Sequence, residues 1–137
     1  TVLAGRTMRV VGSLDQPHSF TYVPDLAAAM IKAAATPALW NSFLHAPTAP
    51  PVTQRQLIER VAATAGVQAP KMSAIPSWTL KALGVVARGM KELAETSYQF
   101  DRPFVLDSSA SEARLDLSPT PMDVGLKETV AWWRRQA

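Results

Sequence analysis

A mixed α/β fold, mainly helical and with three or four short strands, is the class that this 137-residue sequence predicts. Three observations lead there. Short runs rich in β-branched and aromatic residues, such as MRVV at 8–11 and HSFTYV at 18–23, suit a pleated surface. Segments built from alanine, leucine and other strong helix formers alternate with them, their apolar residues recurring at helical spacing. Prolines, glycines and capping residues fall between the two kinds of segment, where turns and helix ends need them.

In chain order, residues 8–11 read as a strand, and GSLDQP at 12–17 supplies the turn that would join it to 18–23 as a hairpin-like pair. The stretch PHSFTYVPDLAAAMIKAAA then turns from strand to helix at Pro24 and Asp25. A proline opens a helix without losing a bond, and an acid in the first turn suits the positive end of the helix dipole. The helix runs through residue 35 and stops at Thr36-Pro37. LWNSFLH at 39–45 reads as a short buried strand, followed by the proline-rich loop APTAPP.

Thr53-Gln54-Arg55-Gln56 fits a capping box, in which Thr53 caps a backbone N–H and Gln56 reaches back. Leu57, Ile58, Val61, Ala62 and Ala65 then share one helical face, and Gly66 stands where a C-terminal cap belongs. Residues 71–75 form a strand before Pro76. Ser77 caps a helix with Trp78, Leu80, Leu83, Val86 and Met90 at near-helical period. Gly84 and Gly89 weaken it, so a bend is expected near Gly89 before helix resumes over 91–98. QFDRPFVLD is irregular or briefly extended, and a short helix starts near Ser108 and ends before Ser118-Pro119. Thr120, Pro121 and Asp123 supply an N-cap, a first helical position and a first-turn acid for the last helix, with Leu126, Val130 and Trp133 along one face.

At 47% hydrophobic the chain can bury a core, and its length predicts one domain. It has no cysteine, which excludes disulfides, thiolate metal sites and a thiol nucleophile. A net charge of +3 is spread along the chain, with Arg134-Arg135 the one tight basic pair near a terminus. A nucleic-acid interface would need clustered basic residues with interleaved aromatics. The longest apolar run, 82–87, is far short of the ~20 residues of a membrane span, and no segment has signal-peptide character. A cytoplasmic location is the default expectation. The chain does not begin with methionine and enters its first strand with no earlier element to pair with, so it reads as a piece of something longer.

Searches for chemistry are largely negative. Neither GxGxxG nor GxxxxGK[ST] occurs, and the six glycines are dispersed. His18 and His45 show no metal-ligand spacing, so no metal is expected and either ring is better read as a pocket or core residue. No G-x-S-x-G elbow is present. Glu92 and Glu95 lie three apart on a helix and read as solvated charge. Tyr98 and Arg102 have the spacing of a Tyr-x-x-x-Lys pair. However, arginine does not titrate as lysine does, and Pro103 disfavours continuous helix through Arg102.

Two of these stretches carry a resemblance. HSFTYVPDLA, residues 18–27, resembles the late strand-to-helix junction R-D-[FY]-[IV]-[HY]-V-x-D-[LV]-A of the extended and atypical short-chain dehydrogenase/reductases, the NAD-dependent epimerase/dehydratase group. SPTPMDVGLKETVAWW is similar to the turn and closing helix with which those proteins finish. In that family an N-terminal Rossmann domain supplies the dinucleotide loop and the Tyr-x-x-x-Lys pair, and the C-terminal part forms the substrate pocket. The resemblance therefore implies a single substrate-binding C-terminal region without the dinucleotide-binding part. It would have no catalytic or cofactor residues of its own, and NAD or NADP would be bound by the full-length parent.

The family's nucleotide-sugar enzymes have arginine at the head of the junction, and this chain has His18. A largely neutral ring does not replace a permanent bidentate charge, which argues for a small or apolar substrate instead. Strand alternation would put His18, Phe20 and Tyr22 on one face, lining a pocket or filling core. Tyr98, Gln99 and Arg102 are further substrate-side candidates, with Arg102 alternatively paired to Asp101. Two other readings stay open: a non-catalytic dinucleotide-binding redox sensor of the same fold, and a stand-alone helical binding module. A truncated sheet leaves unpaired edges, so self-association through them is expected.

Overall fold

The computed structural model describes residues 1–75, 79, 96 and 98–136. Its elements in chain order are β1 (Met8–Val11), β2 (Pro17–His18), α1 (Val23–Ala35), a single 3-10 turn (Pro37–Leu39), β3 (Val52–Thr53), α2 (Gln54–Thr64), β4 (Met72–Ile75), α3 (Tyr98–Asp101), α4 (Ser109–Leu115) and α5 (Met122–Arg135). The fold is thus mixed α/β and mainly helical. These elements form two compact units, Thr1–His18 with Val52–Phe104, and Ser19–Pro51 with Val105–Ala137. Most of the helix expected from Ser77 through Met90, its bend at Gly89 and most of its continuation over 91–98, Glu92 and Glu95 included, lie outside the described residues.

In the first unit β1 pairs in parallel with β4, Met8 opposite Met72 and Val11 opposite Ile75. The expected hairpin between 8–11 and 18–23 does not form. Gly12 adopts a left-handed φ of 73°, and its Cα lies so close to the Phe100 backbone that an added Cβ would sit 2.5 Å from the Phe100 carbonyl oxygen. The next residue donates Ser13 N–H to that same carbonyl at 2.9 Å, which directs the chain away from β1. β2 pairs instead with β3, antiparallel, over two residues.

The capping box at the start of α2 is present in full, Gln56 N–H donating to Thr53 Oγ1 and Thr53 N–H to Gln56 Oε1. At its far end Gly66, φ 64°, closes a Schellman cap. Its N–H donates to Ala63 O and that of Val67 to Ala62 O, both at 3.0 Å. The helix buries Ile58 and Ala62, and Ile58 joins Val10 and Leu14 as the core of this unit.

The second unit is built around Ala29 of α1, Leu39 and the fully buried Leu115 of α4, with Ala33, Leu44, Ala46 and Leu117 packed about them. α1 begins as expected, with proline in its first turn and Asp25 beside it, but at Val23. The strand before it is correspondingly shorter than 18–23. Ser19 Oγ accepts the Leu106 N–H and Thr21 pairs with the Thr48 hydroxyl, side-chain bonds that compete with a regular ladder. The strand expected at 39–45 is also absent. Pro37 opens a 3-10 turn, and Asn41 takes a left-handed φ of 56° that no strand accommodates. α5 starts at Met122, one residue later than expected, and buries Gly125 and Val130 while Trp133 is exposed.

Candidate functional site

The six residues singled out from the sequence divide between the two units: His18, Tyr98, Gln99 and Arg102 belong to the first, Phe20 and Tyr22 to the second. Each group is described in its own surroundings.

His18 is buried at the end of β2. Its Nδ1 lies 2.9 Å from the Gln16 carbonyl and its Nε2 2.7 Å from that of Gln99. Carbonyls only accept, so a neutral ring donates to one of them and an imidazolium to both. The ring's N–H is thus spent on backbone carbonyls rather than offered to a ligand. Gln99 thus meets His18 through its main chain, while its side-chain amide stands 3.4 Å from the Tyr98 hydroxyl. These two residues sit in α3, a single turn that Ser13 and Gly12 hold at the end of β1. Tyr98 and Arg102 are exposed. Arg102 forms no ion pair with Asp101. Arg55 pairs with Asp15, and its hydrogen bond holds the Asp15 carboxyl below its ordinary value.

Tyr22 caps α1 and lies half-buried against α5. Its hydroxyl donates to Glu128 Oε2 at 2.5 Å, and its ring packs on Gly125, where an added Cβ would come within 3.2 Å. That hydrogen bond first, then burial and the charges of Glu128 and Asp25, push the phenol up to about 12. Asp25 reaches the turn before α5. One carboxylate oxygen accepts the Thr120 N–H at 2.8 Å and the other its hydroxyl at 2.6 Å. The junction stretch and the closing stretch are therefore bound at three points, Tyr22 to Glu128, Tyr22 to Gly125 and Asp25 to Thr120. Phe20, within the junction stretch, is half-buried and lies outside any regular element.

A buried hydroxyl network surrounds the HAPTAP loop, and the sequence reading did not single it out. Ser108 Oγ accepts the Thr48 N–H at 3.2 Å and donates to Glu112 at 2.6 Å, Ser111 Oγ accepts the His45 N–H, and Thr48 bonds to Thr21 and to Ala46 O. The signal for it was present in part, since serines at a helix start commonly serve backbone groups. Their partners, some sixty residues earlier in the chain, were not visible.

As chemistry, these arrangements bind and brace. A phenol that works as a base needs a cation to lower its pKa, and Tyr22 has a carboxylate that raises it. Ser108 is buried and bonded on both sides, to the Thr48 N–H and the Glu112 carboxylate, and so braces the loop. Among the described residues no group of three His, Asp or Glu side chains is placed to hold a metal. No helix among them is long and apolar enough to cross a membrane. No protein-family model matches the chain, and no curated protein is significantly similar to it in sequence.

Proposed function

We propose that this chain is the substrate-facing portion of an NAD(P)-dependent protein related to the epimerase/dehydratases and reductases of the short-chain dehydrogenase group, and that it carries out no hydride transfer by itself. The observation that carries the reading is the contact between the junction and closing stretches. The two motifs on which the resemblance rests lie about a hundred residues apart, and they meet through Asp25–Thr120 and Tyr22–Glu128. Such side chains at such spacing make sense as parts of one device. The parallel β1–β4 pair adds support, because parallel strands in α/β proteins belong to larger sheets covered on both faces.

In this reading the cofactor, NAD or NADP, belongs to the dinucleotide-binding half of the parent, which supplies position and electrostatics for the hydride. The substrate is small or apolar. Where the nucleotide-sugar enzymes have arginine, His18 turns its ring N–H to backbone carbonyls and presents no bidentate fork to a diphosphate. Tyr98 and Arg102, in the first unit, are the candidates with exposed polar ends, and Gln99 beside them is half-buried, as are Phe20 and Tyr22 in the second.

The coding sequence upstream of residue 1 tests this. We expect a glycine-rich dinucleotide loop followed by a Tyr-x-x-x-Lys pair in the same reading frame. A loop without the pair would replace the enzyme by a redox sensor, and a stop codon close upstream would overturn both.

A further inference from the structure

We draw no further inference here: the strongest candidate, the exposed surface patch at the C-terminal end of α5, where Trp132 and Trp133 meet edge to face with ring centroids 4.8 Å apart and are followed by Arg134 and Arg135, carries nothing because nothing in the structure shows what covers it.

Discussion

The Tyr22 hydroxyl donates to a Glu128 oxygen, and that contact decides what the phenol can do. Because the neutral phenol is the bonded form, its pKa rises from 10.0 to about 12 in the folded chain. The stability gained is fully present below the unfolded value near 10 and is lost as pH climbs through about 12. In a Tyr98→Phe background Tyr22 is the one remaining tyrosine. Ultraviolet titration of tyrosinate should then give a midpoint well above 10 that falls back toward it in Glu128→Gln; an unmoved midpoint would remove Glu128 as the cause. The sequence identified Tyr22 and Asp25 as notable but not their partners, because Glu128 and Thr120 lie about a hundred residues away. His18 is similar. Its partner Gln99 is a backbone carbonyl, which no side-chain pattern announces.

Among the elements, those defined by neighbours in sequence were legible and those defined by distant pairing were not. The α2 capping box and its glycine cap span a few residues each, and both form as read. Thr53→Ala should cost about 1 kcal/mol in denaturant unfolding, with Thr53→Ser close to neutral. The strands β1, by its valines, and β4, before Pro76, were also located, yet the pairing of β1 was misassigned to the nearest strand-like run. Gly12 is the physical reason for the difference. Its left-handed φ and its approach to Phe100 turn the chain toward α3, leaving β1 to pair with β4. Gly12→Ala should therefore destabilise by about 1–3 kcal/mol from backbone strain alone, and more from the displaced Phe100 backbone. Amide exchange should show the loss first in residues 98–101; uniform protection there would contradict it. The missing strand at 39–45 shows the opposite limit, since aromatic content read as strand gave way to a proline turn and a left-handed Asn41.

For the whole molecule, the absence of cysteine excluded thiol chemistry, and the dispersed glycines form no nucleotide loop. Composition did not show that the residues form two compact units interleaved along the chain, because each is assembled from two separate segments. The functional reading rests on motifs that local sequence displays and that the second unit joins through Asp25, Thr120, Tyr22 and Glu128. Its central claim is a division of labour: this chain faces substrate, and dinucleotide is held by residues encoded before it. Titration of NADH and NADPH, followed by nicotinamide fluorescence, measures that directly on two proteins, this chain and the same chain extended to the start of its open reading frame. We predict no saturable change with the chain alone and saturable binding with the extended protein. Saturable binding to the chain alone, or none to either, would contradict the account.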